Sequence, residues 1–414
     1  MKTLSRLLLT LVMATALTTG LFANGLNLNG NGSKANAMGG AFVGLANDFS
    51  AAYWNPAGLA QMTTACFSLY AADVLPFGTY ELEAFGVDAK SEMKHYLIPG
   101  LGYFRPVGEN LVLGIYLYAP SGAGSKWDGE DLAVLSGGQA FDWYSMLGLF
   151  TVSPAIAYRI TDKVMLGATV DVSYGMLNMD QPFDLGQYKE RLTGLAVGGT
   201  IGLLVKPVEQ FSFGVTYKLP FKAKLKGDVT IANAGLVGLE TTVETGTREA
   251  TWPMWLAGGI AVKPMAGLTL TADVQYTNWK KMQTIPINFE DPGWQAWFGA
   301  DGILDRVYEL LWKDTTQIRF GAEYMVSPSF ALRAGYYMDP NPGPIETQNI
   351  LLPEFKYSWI TGGFGYVGKN ITIDAAFEYG PAKDIIVPLA PENSMPGTHG
   401  MLILAPSLSF SYRF

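Results

Sequence analysis

The chain has 414 residues, of which 49% are hydrophobic and only 15% are charged, and its formal net charge is −8. A negative chain without clustered Lys and Arg is unsuited to nucleic acid, because phosphate contacts require those cations. Soluble domains carry about 25% charged residues, so this composition indicates apolar surface. No stretch beyond residue 23 holds the roughly 18 uninterrupted apolar residues of a transmembrane helix. A closed β-barrel is the other structure that satisfies its backbone in lipid.

The first 23 residues predict a secretory signal peptide that is removed from the mature protein. Lys2 and Arg6 form the basic region, residues 7–17 form the apolar core, and cleavage after Ala23 is expected. A membrane anchor is the alternative, but threonines interrupt the apolar run, which is too short to span. Cys66 is the single cysteine, so export brings no internal disulfide.

Alternation of apolar and polar residues is the main structural signal along the chain. In the segment from Val164 to Tyr174 the apolar set faces one way, whereas Thr169, Asp171 and Ser173 face the other. The same period of two continues to the last residue, Phe414. A soluble sandwich also alternates, but its strands average about five or six residues. The longer runs here favour strands that cross a membrane, with lipid outside and a polar lumen inside.

Counting these runs predicts an all-β transmembrane barrel of about fourteen antiparallel strands. The strands are expected near residues 64–73, 95–105, 110–120, 145–160, 163–177, 192–206, 210–224, 247–263, 267–280, 315–327, 329–339, 357–367, 370–380 and 398–414. Tiny turns should alternate with long loops at 74–94, 121–144, 178–191, 225–246, 281–314, 340–356 and 381–397. Strict alternation of short periplasmic turns and long outer loops is typical of outer-membrane barrels.

Residues 24–63 do not alternate, which predicts a separate unit before the barrel of residues 64–414. Residues 24–30 are polar and turn-rich, and small residues fill 33–46. A barrel of this width would otherwise leave water in its middle, so we expect this segment to fold inside the lumen as a plug, or hatch.

Two motifs in this plug carry a resemblance to a known family. They are Met38-Gly39-Gly40-Ala41-Phe42-Val43 and Asn55-Pro56-Ala57-Gly58. Because fourteen predicted strands follow these motifs, they resemble the hatch of the FadL/TodX family of outer-membrane channels for long-chain fatty acids and aromatic hydrocarbons. The resemblance implies passive transport: outer loops capture a hydrophobic ligand, a lumen pocket holds it, the hatch shifts, and a kink in the third strand lets the ligand leave sideways into the bilayer.

The loop 281–314 is the candidate capture surface. Its apolar residues include Trp294, Trp297, Phe298, Leu304 and Leu311, and their spacing over 303–311 predicts an amphipathic helix. A cap packed on neighbouring loops is an equally good interpretation. Lys313 stands where the fatty-acid channels carry a pocket lysine. Their second basic residue, an arginine, falls at Met176, so the resemblance leaves open whether the ligand is a carboxylate or a neutral aromatic or alkane.

The third strand ends in Pro120-Ser121-Gly122, which predicts a local defect in the barrel wall. Proline cannot donate to the strand ladder and glycine marks bends; the alternative is that the strand simply ends there. Inward charges of mixed sign, Arg319 among them, predict ion pairs that hold the hatch rather than an ion-selective pore.

No enzyme, metal or cofactor is predicted. The two histidines, His95 and His399, lack metal-ligand neighbours at a suggestive spacing, and Ser394 near His399 has no evident acid partner. A porin for small polar solutes is the nearest alternative function, and an outer-membrane lipid hydrolase is a remote one. Expected partners are hydrophobic small molecules, outer-membrane lipid and lipopolysaccharide, and the barrel-assembly machinery through the C-terminal Phe414.

Overall fold

The computed structural model describes residues 25–28, 30–183, 186–391 and 393–414; the predicted signal peptide, 1–23, lies outside the described residues. Fourteen antiparallel strands form one closed barrel, as predicted. The strands are β1 (Cys66–Leu82), β2 (Tyr96–Val107), β3 (Leu111–Trp127), β4 (Trp143–Thr161), β5 (Val164–Phe183), β6 (Gly186–Val208), β7 (Phe211–Lys218, continued by Phe221–Ile231), β8 (Val243–Trp252, continued by Trp255–Met265), β9 (Leu268–Thr277), β10 (Thr315–Ser327), β11 (Phe330–Asp339), β12 (Tyr357–Val367), β13 (Ile371–Pro381) and β14 (Gly397–Arg413).

Each strand pairs with its neighbours along the chain, and the first and last strands close the ring. Pairing between β1 and β14 runs from Cys66 opposite Arg413 to Glu81 opposite Thr398. The backbone N–H of Phe414 donates to the carbonyl of Ala65 at 3.0 Å, so the chain is held in the sheet to its last residue. Closure removes the free sheet edges that could not be satisfied in lipid.

The predicted alternation sets the two faces of the wall. In β5 the side chains of Val170 and Val172 are 54% and 41% exposed, whereas Thr169 and Asp171, which alternate with them, are each 6% exposed. The exposed set is apolar and the buried set is polar. The outer surface therefore suits lipid, and the inner surface faces other protein groups.

Short turns and long loops alternate around the barrel, as predicted. The short connections are 108–110, 162–163, 209–210, 266–267, 328–329 and 368–370. The predicted loop 178–191 is wrong, because β5 and β6 extend through it as a long hairpin with Met179 opposite Glu190. The predicted loop 225–246 is wrong at both ends, since β7 continues to Ile231 and β8 begins at Val243. Apolar residues of these extensions, such as Met179 and Val229, are fully buried among the outer loops.

Helices are few and short. They are α1 (Ser33–Ala37), α2 (Ala51–Trp54) and α3 (Pro292–Phe298), with 3-10 turns at Pro56–Gln61, Glu83–Phe85, Ala133–Ser136, Ala234–Val237, Trp279–Lys281 and Ile345–Thr347. Short strands lie at Val87–Lys90, Thr284–Ile285, Ile287–Phe289, Tyr308–Glu309 and Ile385–Val387. Within the described part of the chain, no helix is both long and apolar enough to pass through a membrane.

The N-terminal segment, residues 30–63, packs against inward-facing groups of strands from all around the ring. The Ser33 N–H donates to the Ser409 hydroxyl on β14 at 2.9 Å, and the Val43 N–H donates to the Asp273 carboxylate on β9 at 2.7 Å. On the opposite side, Arg159 of β4 donates to the Ala60 carbonyl at 2.8 Å. These contacts connect the segment to inward-facing groups of β4, β9 and β14.

Candidate ligand-binding site

The glycines of the first family motif allow the N-terminal segment to touch the wall backbone. Gly39 has φ +65°, and a Cβ on it would lie 2.8 Å from the Phe320 carbonyl oxygen and 2.9 Å from the Tyr336 nitrogen. Its own N–H donates to the Thr361 hydroxyl at 3.0 Å, and its carbonyl accepts from the Arg319 guanidinium at 3.1 Å. A larger residue would lose this contact for two reasons, the left-handed backbone and the lack of space. Gly40 shares the same φ, and Met38 is fully buried.

The second motif ties the segment to itself and to β6. The Asn55 amide donates to the carbonyls of Val43 at 2.9 Å and Leu203 at 3.0 Å, and its side-chain oxygen accepts from the Ala57 N–H at 3.2 Å. Pro56 then begins a 3-10 turn, where its missing N–H is no loss. A Cβ on Gly58 would collide with the Ala46 carbonyl. Both motifs therefore hold the segment in place.

A buried ion-pair chain also joins this segment to the wall. Lys34 on α1 contacts Glu323 of β10 at 3.1 Å, Glu323 contacts Arg333 of β11 at 2.7 Å, and Arg333 contacts Asp374 of β13 at 2.7 Å. Arg319 instead bonds the backbone of Gly39. The charges of mixed sign that the sequence places inward thus connect three strands and α1.

The wall is interrupted between β2 and β3, near the predicted kink. These strands pair only from Val107 opposite Leu111 to Leu101 opposite Leu117, although β3 continues to Trp127. A bulge falls in the β3–β4 pairing between Tyr118 and Ser121. Further along, a bridge of Ser91 with Trp127 joins the two sides again. Residues 96–100 of β2 and 118–125 of β3 therefore border a window in the wall.

The start of the described chain occupies the β3 edge of this window. The Leu28 N–H donates to the Pro120 carbonyl at 3.0 Å, and the Gly122 N–H donates to the Leu26 carbonyl at 3.1 Å. Asn27 forms an antiparallel bridge with Ser121. Residues 26–28 thus take the place that β2 leaves empty.

A cavity of about 450 Å³ extends from the lumen to this window. Ser121 and Gly122 line it, as do the buried Tyr70 and the outward-facing Leu97, which is 70% exposed. Most of its lining is apolar or aromatic, for example Leu147, Met176, Phe355, Trp359 and Ile403. Among the described residues that line it there is no Lys or Arg. A cavity of this size and character is typical of a site for a small hydrophobic molecule.

One carboxyl group on the loop side of this cavity is strongly perturbed. Glu354, in the loop after β11, lines the cavity and accepts a hydrogen bond from the indole nitrogen of Trp312. Burial raises the pKa of this carboxyl well above its usual range, against the opposing effect of the Trp312 hydrogen bond. A neutral carboxylic acid can donate as well as accept hydrogen bonds.

The predicted capture residues lie elsewhere. Trp294 and Phe298 are buried on α3, with their rings 5.9 Å apart, and Phe298 packs edge-on against Phe183 at 5.6 Å. Trp297 and Leu304 are half-buried against the same cluster. Leu311 and Lys313 are exposed. None of these six residues lines the cavity, so their role in ligand capture stays a prediction.

The helix predicted over 303–311 is wrong. The loop helix is α3, which begins after Asp291, whose side chain caps the Trp294 N–H at 2.8 Å. Beyond it, the Asp305 carboxylate binds the Val307 N–H at 3.0 Å, and Tyr308–Glu309 pairs with Thr284–Ile285. Local capping and strand pairing therefore prevail over the helical spacing of apolar residues.

Sequence reasoning missed a buried lysine next to the cavity. The Lys218 ammonium lies 4.3 Å from the ring centre of Tyr53, 5.4 Å from that of Trp255 and 5.7 Å from that of Tyr118. It lines a separate pocket of about 20 Å³, room for roughly one water molecule. The only sequence signal is a charged residue at an inward position of an alternating strand.

This fold and site define a class: outer-membrane transport barrels. A family model described as "Outer membrane protein transport protein (OMPP1/FadL/TodX)" matches residues 9–398. The chain belongs to this family, whose members are transport channels and not enzymes, and it is a protein of the bacterial outer membrane.

Individual relatives agree with this assignment. The chain is 21% identical to the long-chain fatty acid transport protein of Escherichia coli O6:H1, over 89% of this chain and 90% of that protein. It is 20% identical to outer membrane protein P1 of Haemophilus influenzae, over 85% of each. The solved structure of the Pseudomonas putida toluene transporter TodX superposes with a TM-score of 0.72 at 20% identity, covering 96% of this chain and all of that one. At this identity the structural likeness shows the fold.

Proposed function

We propose that this protein carries uncharged hydrophobic compounds passively across the outer membrane and releases them sideways through the window between β2 and β3. The observation that carries the proposal is the cavity of about 450 Å³, which reaches from the buried Tyr70 to the exposed Leu97 at the window. A ligand following this route passes from the lumen to the lipid-facing side along a mostly apolar or aromatic lining.

The lining supports an aromatic or alkane ligand over a fatty-acid carboxylate. Carboxylates bind where Lys or Arg side chains supply charge-assisted hydrogen bonds. Met176, which stands where the resemblance expects an arginine, lines the cavity, and Lys313 is exposed outside it. Toluene is named for the P. putida relative and long-chain fatty acid for the E. coli relative; the absence of cations among the described lining residues favours the first kind of ligand.

The N-terminal segment acts as the hatch in this proposal. Residues 26–28 cover the β3 edge with two backbone hydrogen bonds, and the rest of the segment fills the lumen. Two hydrogen bonds contribute about 0.5–1.5 kcal/mol each, so residues 26–28 can leave the edge much more easily than a barrel strand can. Their departure widens the window.

A reversible crosslink tests this route. Asn27 and Ser121 are antiparallel bridge partners, and such pairs have Cα atoms about 4.5–5.5 Å apart, within disulfide reach. The variant Asn27→Cys/Ser121→Cys, with Cys66→Ser, is reconstituted in vesicles, and uptake of radiolabelled toluene is measured. We expect uptake to fall on oxidation and to return with reductant.

Two controls accompany this experiment. Asn27→Cys with Cys66→Ser alone should show no response to oxidant, since it has no partner thiol. Equal uptake by the oxidised and reduced forms of the double-cysteine variant would contradict release through the window. Mass spectrometry of compounds extracted from the purified protein would identify the ligand itself.

A further inference from the structure

Four buried polar side chains that line the cavity are joined to one another by hydrogen bonds. They are Asn36 of α1, Tyr70 of β1, Tyr337 of β11 and Glu378 of β13, which we call the polar quartet. All four line the cavity, and their exposed fractions lie between 1% and 5%. Polar groups this deep in a hydrophobic site usually orient a ligand.

The quartet has more hydrogen-bond acceptors than donors. The Asn36 amide nitrogen donates to Glu378 at 2.8 Å and to the Tyr70 hydroxyl at 3.1 Å, which uses both of its hydrogens. The Tyr337 hydroxyl lies 3.4 Å from the second Glu378 oxygen, long for an O–H···O bond. The side-chain oxygen of Asn36 is buried and has no hydrogen-bond partner among the described residues. Buried acceptors are therefore left incompletely satisfied.

The charges around the quartet also disfavour a ligand that is itself an acceptor, such as a carboxylate. In the described structure Glu378 makes no ion pair within 4.0 Å. The Arg319 guanidinium lies over the Tyr337 ring at 4.5 Å but hydrogen-bonds to Gly39 and Gln317, and it does not line the cavity. A ligand carboxylate would thus add further acceptors to a site whose described lining residues include no Lys or Arg, at a high cost of desolvation.

We propose that the cavity prefers hydrophobic ligands that carry one neutral hydrogen-bond donor, a hydroxyl group, which binds between Glu378 and the Asn36 side-chain oxygen. This inference rests on the proposed function and adds to it the head group of the ligand. A donor placed there satisfies the acceptors, while the aromatic and aliphatic lining holds the hydrocarbon body. Because Asn36 belongs to the N-terminal segment, such a ligand contacts the proposed hatch directly.

Three ligands with one carbon skeleton test the head group: butylbenzene, 4-phenylbutanol and 4-phenylbutyrate. Their dissociation constants are measured by calorimetry on the protein in lipid nanodiscs, with empty nanodiscs subtracted. We expect the alcohol to bind roughly fivefold tighter than the hydrocarbon, the gain of about one net hydrogen bond, and the carboxylate to bind weakest.

Variants connect this preference to the quartet. Glu378→Met, similar in length but without acceptors, should bring the ratio of hydrocarbon to alcohol dissociation constants close to one, and partition into lipid cancels when this ratio is compared between proteins. The exposed Glu249→Gln is the matched control and should keep the wild-type ratio. If Glu378→Met does not fold, Glu378→Gln, which keeps one oxygen, should lower the ratio by a smaller amount.

Three results would overturn the inference: no preference for the alcohol over the hydrocarbon, tightest binding of the carboxylate, or a wild-type ratio in the folded Glu378 variant. If all three ligands bind without ranking, only the head-group inference falls. If none of them binds, the proposed function falls with it.

Discussion

At the scale of single residues, Arg319 connects the barrel wall with the N-terminal segment. Its guanidinium donates to the Gly39 carbonyl at 3.1 Å and to the Gln317 side chain at 2.8 Å. A hydrogen bond from a charged group contributes about 1.5–3 kcal/mol. We therefore expect Arg319→Met to loosen the segment and to raise the population of open states about tenfold. The measurement is the ion conductance of the protein in planar bilayers, which should increase.

The matched control for this experiment is Lys224→Met, which removes a cation whose side chain is 67% exposed. It should conduct like the wild type. If Arg319→Met conducts no more than this control, the segment is held by other contacts, such as the Lys34–Glu323 ion pair.

Glu354 predicts a dependence of stability on pH. Burial raises the pKa of this carboxyl well above its usual range, so the folded protein holds the proton more tightly than the unfolded chain does. The stabilisation is complete below the ordinary value of 4.5 and is lost as pH rises above it. Relative to the wild type, Glu354→Gln should therefore lose less thermal stability between about pH 5 and 8.

The control for Glu354 lies in the same loop. Glu346 is exposed, and Glu346→Gln should keep the wild-type slope of melting temperature against pH. Parallel slopes for the wild type and Glu354→Gln would show that Glu354 does not carry this dependence.

At the scale of elements, β3 combines the features of the window. Replacing Pro120 and Gly122 by valine favours a regular strand, on a propensity scale that spans about 1 kcal/mol. A Cβ at position 122 would meet Leu28 at 3.7 Å, an ordinary contact, so the barrel should still assemble. We expect uptake of toluene into vesicles to slow by about fivefold.

Gly258→Ala on β8 is the control for this change, since a Cβ there meets only the Gly214 carbonyl oxygen, at 4.0 Å. It should assemble and transport like the wild type. Uptake by the Pro120→Val/Gly122→Val variant at the control rate would refute a role for the irregular strand.

The elements also show where sequence patterns reach their limit. Period-two alternation located all fourteen barrel strands, because a one-residue shift would turn every apolar side chain from lipid to lumen. The same reasoning failed beyond the membrane. Residues 178–183 and 186–191 are paired strands and 303–311 is not a helix, since outside the lipid the packing of loops on one another decides the structure.

At the scale of the whole molecule, the C-terminus is the proposed recognition point for the assembly machinery. Phe414 is 66% exposed, and its ring meets Tyr412 edge-on at 5.1 Å, so its removal costs little packing. We expect Phe414→Ser to reduce the amount of folded protein in the outer membrane of cells several-fold, while protein refolded in detergent keeps the wild-type melting temperature.

Val326→Ser, at another exposed apolar position of the wall, is the control for a general loss of lipid contact. Similar losses of assembled protein in both variants would remove the special role of the C-terminal residue.

The sequence by itself determined the barrel, its strand number, the inward or outward direction of its side chains and its family. These follow from local periodicity and from the requirement that a backbone in lipid satisfy its own hydrogen bonds. Only the tertiary structure decided which residues of the wall the N-terminal segment contacts. Asn36 meets Glu378 across 342 positions of sequence, and residues 26–28 pair with β3. Such contacts depend on how the closed ring folds around the N-terminal segment, and no local pattern records that.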